Sequence, residues 1–216
     1  MAVPSSILLD SDGVPRLGEL GLTADVLREC VRIGYGHAAG CTDHDPRSLP
    51  GTLAWGKGTG NLRDALKLEG WTANSNANFE TVVHPENLCA LALAAGTSQT
   101  GRSEAPPPRT KTPRGPATSR AVAANRQLSF AGQHPAFGDE GVDDDRETWL
   151  LLHFYDAAAG EIRLELARPD EMAGKQVTGW SERIILESVP FSTDFDLSIQ
   201  EDEDGEIDVD VRRRAD

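Results

Sequence analysis

Hydrophobic residues recur at helical spacing in two segments of the first third of the chain. Residues 24–37 carry an apolar stripe interleaved with charged positions, and Thr23 precedes them as a helix N-cap. Residues 61–69 repeat the pattern, with Asn61 and Asp64 resembling a capping box and Gly70 ending the run. The pattern predicts two amphipathic helices, separated by a connection rich in proline and glycine.

Two apolar segments of strand-like composition follow these helices. Residues 79–84 and 88–94 flank the sequence His84-Pro85-Glu86-Asn87, which has the chemistry of a turn. We therefore expect a β-hairpin, so that the N-terminal part of the chain forms a small helix/β-hairpin module.

Alternating apolar and polar residues in the second half predict an antiparallel β-meander. Residues 148–155 and 161–167 flank a turn at 156–160, and residues 180–187 supply a third strand. Pairing Tyr155 with Glu161 places one set of apolar residues on a common core face. That set consists of Leu150, Leu152 and Phe154 with Ile162, Leu164 and Leu166.

The acidic C-terminal region also alternates, which predicts a hairpin rather than a structureless tail. Phe195, Leu197 and Ile199 lie on one side of the Asp204-Gly205 turn, and Ile207, Val209 and Val211 lie on the other. The opposite face of this hairpin displays an array of carboxylates. They belong to Asp194, Asp196, Glu206, Asp208 and Asp210.

A basic, proline-rich stretch separates the two halves. Residues 103–120 contain five prolines, no aromatic residue and no aliphatic side chain larger than alanine. Such a segment buries too little surface to offset its ordering entropy, so we expect a disordered linker over residues 102–126. The predicted fold class is α+β, with a helix/β-hairpin module over 1–101, this linker, and an antiparallel β module with an acidic hairpin over 127–216.

The charge of the chain restricts its partners. A net charge of −14 disfavours nucleic acid and anionic membranes, because both carry the same sign, and favours a basic protein partner. Nucleic acid could contact only the basic stretch from Arg102 to Arg126. The short apolar run at residues 7–9 is followed at once by Asp10, so it is neither a signal nor a membrane segment, and the three cysteines form no disulfide framework. We therefore expect a cytoplasmic protein with reduced thiols.

Four potential zinc ligands lie close together in the sequence. Cys30, His37, Cys41 and His44 fall within fifteen residues, and their side-chain types suit tetrahedral zinc. The intervals of six, three and two residues match no standard zinc finger, and Cys30 equally fits a buried helix face. The sequence therefore predicts no metal and no cofactor, with these four residues as the candidates for a metal site.

One face of the predicted meander combines aromatic and ionisable side chains. In the register above, His153 lies opposite Arg163 and near Glu161 and Glu165, which is the best local arrangement for acid/base chemistry. The same residues can instead form a structural ion-pair ladder. Trp149 shares the face, so Trp149, His153 and Arg163 are also candidates for a docking surface.

A run from residue 62 to residue 94 combines a short helix, Gly70-Trp71, the strand Glu80-Thr-Val-Val-His84-Pro85 and an apolar strand. It resembles part of the HicA-type mRNA-interferase toxins, and the resemblance implies an RNA-cleaving enzyme. In that family a histidine after a Gly-Ser pair in the first strand performs the chemistry. The matching stretch here, residues 75–79, contains no histidine, so we do not adopt this family.

Two hypotheses of function follow from these features. The first is a non-enzymatic acidic interaction protein that docks onto a basic partner, such as a nucleic-acid-binding protein, through its carboxylates and the mixed sheet face. The alternative is a small nucleic-acid-processing enzyme that uses His84 or His153 as general acid/base and the basic linker as a substrate guide.

Overall fold

A computed structural model describes residues 6–131 and 146–191. The helices are α1 (Asp10–Glu19), α2 (Ala24–Ala38), α3 (Leu49–Lys67) and α4 (Pro116–Ala131). The strands are β1 (Ser6–Leu9), β2 (Thr72–Asn76), β3 (Phe79–Val83), β4 (Cys89–Ala95), β5 (Glu147–Asp156), β6 (Glu161–Ala173) and β7 (Gln176–Pro190). They form one mixed sheet in the order β1-β7-β6-β5-β4-β3-β2, so the chain has the α+β character that the sequence predicts. No helix within the described ranges is both long and apolar enough to cross a membrane.

Helix α2 forms where the sequence predicts it. The Thr23 hydroxyl accepts a hydrogen bond from the Val26 N–H at 3.3 Å, which caps the first turn. The buried residues of the helix lie along one stripe and enter the main core; they include Leu27, Cys30, Val31 and Tyr35. The prediction for residues 24–37 is therefore confirmed.

Helix α3 is longer than predicted, since it begins at Leu49 rather than at Asn61. The added turns contain glycines, which permit a close approach of α2 and α3. A Cβ atom at Gly34 of α2 would lie 2.3 Å from the carbonyl oxygen of Ala54, and one at Gly58 would lie 2.7 Å from a leucine methyl group of β4. Tertiary packing of the two helices therefore outweighs the low helix propensity of these glycines.

The predicted boundary between two modules does not divide the sheet. Strands β3 and β4 form the predicted hairpin, and β2 adds a further antiparallel strand that the pattern missed. Strand β4 then pairs in parallel with β5 over the whole of its length. The C-terminal strands β5, β6 and β7 are consecutive antiparallel neighbours, but β7 also pairs in parallel with β1 at the sheet edge. The sheet is therefore mixed and continuous across the positions expected to separate two modules.

The predicted register of β5 and β6 is wrong by one residue. Tyr155 lies opposite Ile162, and Asp156 lies opposite Glu161. The Gly160 N–H donates to the Asp156 carbonyl at 2.9 Å, and Gly160 adopts a φ of 65°, which favours glycine. Because a one-residue shift exchanges the faces of a strand, a different set of side chains shares each side of the sheet. Leu151, His153 and Tyr155 now accompany Ile162, Leu164 and Leu166, whereas Leu152 and Phe154 accompany Arg163 and Glu165.

The first part of the predicted linker is an ordered segment, which we call the strap and define as residues 97–115. Its backbone donates hydrogen bonds to the sheet, from Lys111 N–H to Ala95 at 2.8 Å and from Thr110 N–H to Val177 at 3.1 Å. The indole of Trp180 donates to the carbonyl of Pro108 at 2.7 Å. Hydrogen bonding to the sheet therefore orders a segment that has few apolar side chains of its own.

The second part of the predicted linker begins helix α4. Pro116 stands at its first position, where a missing N–H costs nothing, and alanines with high helix propensity follow. The buried Asn125 side chain donates to the carbonyls of Thr148 and Pro169, both at 2.8 Å, and accepts from the Thr148 N–H at 2.8 Å. This amide attaches α4 to both β5 and β6, which corrects the disordered-linker prediction for residues 102–126.

The sheet has two differently covered faces. On the helix face, α1, α2 and α3 pack on a large apolar core that includes Trp149, Leu151, Leu164 and Ile184. On the strap face, α4 and the strap cover a smaller cluster that includes Leu150, Leu152 and Trp180. The predicted acidic hairpin with Asp194, Asp196, Glu206, Asp208 and Asp210 lies outside the described residues.

Candidate functional site

His153, the strongest sequence candidate for catalysis, lies buried on the helix face. Only 2% of its surface is exposed, and its Nδ1 shares a hydrogen bond of 2.9 Å with the Tyr35 hydroxyl. Its Nε2 has no hydrogen-bond partner within residues 6–131 and 146–191. Burial, together with the positive charge of Arg114, lowers the pKa of His153 to about 4. The imidazole is therefore a neutral core group beyond the reach of a macromolecular substrate.

The acid/base arrangement expected around His153 does not form. His153 lies opposite Leu164, while Arg163 lies opposite Phe154 on the other face of the sheet. Glu161 and Glu165 share that other face, so the sheet itself separates them from the imidazole. The one-residue register error accounts for the whole discrepancy, because it moved every β6 side chain to the wrong face.

The proposed docking face is also not a surface. Trp149 is 1% exposed, and its indole N–H donates to Glu147 at 3.1 Å beneath the guanidinium of Arg16. Arg163 is 6% exposed. Trp149, His153 and Arg163 are therefore parts of the fold rather than members of one accessible patch.

His84 occupies the predicted turn between β3 and β4. Its ring packs edge-on against Trp71 with the centroids 5.0 Å apart, and its Nδ1 accepts a hydrogen bond from the Glu86 N–H at 3.1 Å. These contacts hold the turn in place. His84 is partly exposed, so it is the one sequence-predicted catalytic histidine that the structure leaves within reach of a substrate.

The four candidate zinc ligands do not converge. Cys30 is buried in the core, where its thiol donates to the Leu27 carbonyl at 3.1 Å, and burial raises its pKa to about 12. Cys41 is also buried, whereas His37 and His44 are exposed. Within residues 6–131 and 146–191, no group of three or more histidine, cysteine, aspartate or glutamate side chains is arranged to hold a metal ion.

The strap face contains a buried ion pair that sequence analysis missed. Arg183 donates to both carboxylate oxygens of Glu165, at 2.9 and 2.7 Å, and both residues are at most 1% exposed. The strap completes this pair, because the Gly101 N–H donates to Glu165 at 2.9 Å and the Arg102 carbonyl accepts from Arg183 at 3.3 Å. The sequence signal for this pair is the row of charged residues at alternate positions of β6, Glu161, Arg163 and Glu165, which also allows the ion-pair ladder named above.

Beside this ion pair, a pocket of about 270 Å³ lies between the strap and the ends of β5 and β6. Two guanidinium groups line it and approach the same oxygen of Asp156, Arg163 at 3.2 Å and Arg102 at 3.5 Å. The remaining walls come from Ser98, Gln99, Ala105, Pro106 and Phe154. Of the wall residues, Arg163 alone is a candidate functional side chain in the sequence analysis, where Arg102 marks the start of the basic stretch and Phe154 is a predicted core residue.

Arg163 is held firmly at the base of this pocket. Its Nη1 donates to the Thr100 carbonyl at 3.0 Å, and its guanidinium lies 4.9 Å from the centre of the Phe154 ring. Its Nε is buried and has no hydrogen-bond partner among the described residues. Burial first, and then the positive charge of Arg102, lower the pKa of Arg163, against the opposing effects of Asp156 and Glu161. The pocket therefore contains a buried cation whose hydrogen-bonding capacity is incompletely used.

In comparisons with known proteins, no family model, no curated protein and no solved structure matches this chain. Function is therefore argued from the residues of the chain itself. The similarity of residues 62–94 to HicA-type toxins remains a local resemblance without the catalytic histidine of that family.

Proposed function

We propose that this chain is a non-enzymatic acidic interaction protein that docks onto a basic protein partner. The observation that carries the proposal is the uneven distribution of charge. Residues 6–131 and 146–191 contain 20 acidic and 18 basic side chains, and are close to neutral. Segments 132–145 and 192–216 contain 15 acidic and only 3 basic side chains, so they hold almost the whole net charge.

Ion pairs within the fold support this proposal. We call residues 6–131 and 146–191 the body. Many of its arginines form ion pairs with carboxylates of the same chain; they are Arg16, Arg28, Arg32, Arg63, Arg102, Arg163, Arg168 and Arg183. These contacts offset positive charge locally, while the excess of carboxylates lies in the two acidic segments. A strongly acidic surface attracts basic proteins and accelerates their association.

The enzyme alternative finds less support in the geometry. It requires a histidine that can exchange protons with a substrate, and burial keeps His153 neutral and enclosed. Of the two histidines named for this alternative, His84 stays accessible, but its Nδ1 and its ring are occupied by contacts that stabilise a turn.

The test begins with a tagged pull-down from the native host, divided into nuclease-treated and untreated halves. We expect a basic protein that survives nuclease and elutes with salt, because screening weakens exposed charge pairs. Binding of the purified partner is then compared between the wild type and a variant with Asp208→Asn and Asp210→Asn, which we expect to bind several-fold more weakly.

A matched variant with Glu69→Gln and Glu86→Gln removes the same charge from exposed positions of the body, and it serves as the control. We expect this control to bind like the wild type, with all three proteins melting at similar temperatures. Equal affinity of the two variants would overturn the proposal. Recovery of RNA or DNA without a protein partner, together with nuclease activity that His84→Ala abolishes, would favour the enzyme alternative.

A further inference from the structure

We propose that the pocket between the strap and the ends of β5 and β6 binds a small ligand through an oxyanion group, a carboxylate or a phosphate. Arg102 and Arg163 would bind this group, and the strap residues Ser98 and Gln99 would contact the rest of the ligand. This site is separate from the acidic segments to which we assign the docking of a protein partner.

The pocket wall contains two cationic side chains and one anionic side chain. Two guanidinium groups share one oxygen of Asp156, at 3.2 and 3.5 Å, and its other oxygen accepts from the Ala159 N–H at 3.3 Å. One carboxylate, that of Asp156, therefore pairs with two guanidinium groups, each of which has up to five N–H donors. Glu161 at the start of β6 already accepts a hydrogen bond from Ser188 at 2.5 Å. The oxyanion group of a ligand would be a second anion for the two guanidinium groups.

The guanidinium of Arg163 is already held in position without a ligand. The Thr100 carbonyl and the Phe154 ring hold the guanidinium of Arg163, so a ligand would not have to order this side chain. Gly101 brings the strap close to it, because a Cβ atom at this position would lie 3.0 Å from the Cβ of Arg163. Charge-assisted hydrogen bonds from a guanidinium to an oxyanion are strong, and among the described residues the donors of Arg163 are not all used.

The size and walls of the pocket restrict the ligand. A volume of about 270 Å³ lies just below the range of roughly 300–1,000 Å³ typical of sites for drug-sized molecules. Arg102 is more than half exposed at the mouth, whereas Arg163 is enclosed at the base. Ala105 and Pro106 add a short apolar wall. The pocket therefore suits the anionic end of a small metabolite rather than a folded polymer.

The experiment is calorimetric titration of the full chain with inorganic phosphate and, separately, with succinate, at constant ionic strength. We expect saturable binding of at least one probe, and the preferred probe distinguishes a phosphate ligand from a carboxylate ligand. Arg102→Gln, which removes an exposed cation and spares the core, should weaken binding about tenfold. Asp156→Asn, which removes the competing carboxylate and keeps an acceptor for Ala159, should tighten it several-fold.

Arg109→Gln is the matched control, because Arg109 is an exposed arginine of the same strap outside the pocket wall. It should bind the probe like the wild type. Failure of both probes to bind would overturn the proposal. Equal losses for Arg102→Gln and Arg109→Gln would also overturn it, since they would show only a general effect of charge.

Discussion

The two faces of the sheet solve the same problem of burial in different ways. The helix face buries apolar side chains from three helices against apolar strands, with His153 and Tyr35 as a small polar inclusion. The strap face buries Glu165, Arg183 and Arg163, and the strap backbone supplies hydrogen bonds that these charges need. Periodic hydrophobicity therefore describes the first face well, whereas ion pairs and hydrogen bonds to buried charged groups stabilise the second.

This difference predicts different sensitivities. Removing a methyl group from the helix face should reduce the free energy of unfolding only modestly. Removing one partner of the buried ion pair should reduce it much more, since the other charge stays buried and unpaired. Among the described residues, the buried charged side chains Arg163, Glu165 and Arg183 all lie on the strap face, and the pocket lies beside them.

The largest effect should come from breaking the buried pair. Glu165→Gln leaves the Arg183 guanidinium without its counter-charge at a site that is at most 1% exposed, and we expect a loss of about 3–5 kcal/mol in the free energy of unfolding. Urea denaturation measures this value. Replacing both residues, with Glu165→Leu and Arg183→Met, should recover much of the loss. A single variant within 1 kcal/mol of the wild type would contradict the role given to this pair.

The pH dependence of the free energy of unfolding tests the buried His153, which is hydrogen-bonded to Tyr35 on the helix face. His153 has a pKa of about 4 in the fold and about 6.5 when unfolded, so the unfolded chain takes up a proton first as the pH falls. The contribution of neutral His153 to the free energy of unfolding is complete above pH 6.5 and decreases by about 3 kcal/mol as the pH approaches 4.

Urea denaturation between pH 7.5 and pH 4.5 tests this dependence on the wild type and on a variant with His153→Phe and Tyr35→Phe. The variant removes the titrating ring and its hydroxyl partner together, so its stability should fall less steeply than that of the wild type. Parallel curves for the two proteins would show that His153 does not contribute.

The smallest expected effect concerns the packing of α2 on α3. Gly34→Ala places a methyl group against the Ala54 carbonyl, and we expect a loss of about 1–3 kcal/mol in the free energy of unfolding. Gly36→Ala on the same helix has open space around it and should stabilise the protein by about 0.5–1 kcal/mol. The two melting temperatures should therefore move in opposite directions, and equal shifts would contradict the close approach of these helices.

Local patterns sufficed for α2 and for the β3–β4 hairpin, because each depends on neighbouring residues. The register of β5 was beyond their reach, since both parities of this strand are apolar: Trp149 and Leu151 on one side, Leu150 and Leu152 on the other. Alternation therefore could not select a face. The charges of β6 then made this face a candidate for docking or acid/base chemistry, although the strap covers Arg163 and Glu165.

The strap and the pocket were missed for a related reason. Composition measures the apolar surface that a segment can bury, but it does not register hydrogen bonds that a distant strand offers, such as that from Trp180 to Pro108. The ion pair of Asp156 with Arg102 likewise requires the strap to cross the sheet. The parallel pairs β4–β5 and β1–β7 have no local sequence signal at all.

The pairing of β1 with β7 has a consequence for biosynthesis. More than 160 residues separate the end of β1 from the start of β7, so at roughly 5–20 residues per second the ribosome needs on the order of ten seconds or longer to deliver the partner. Until then Ile7, Leu8 and Leu9 emerge as an apolar segment without its neighbour. Strand β1 is therefore translated long before its partner and is among the last strands of the described sheet to be paired. Chaperones that bind nascent chains can act during this interval.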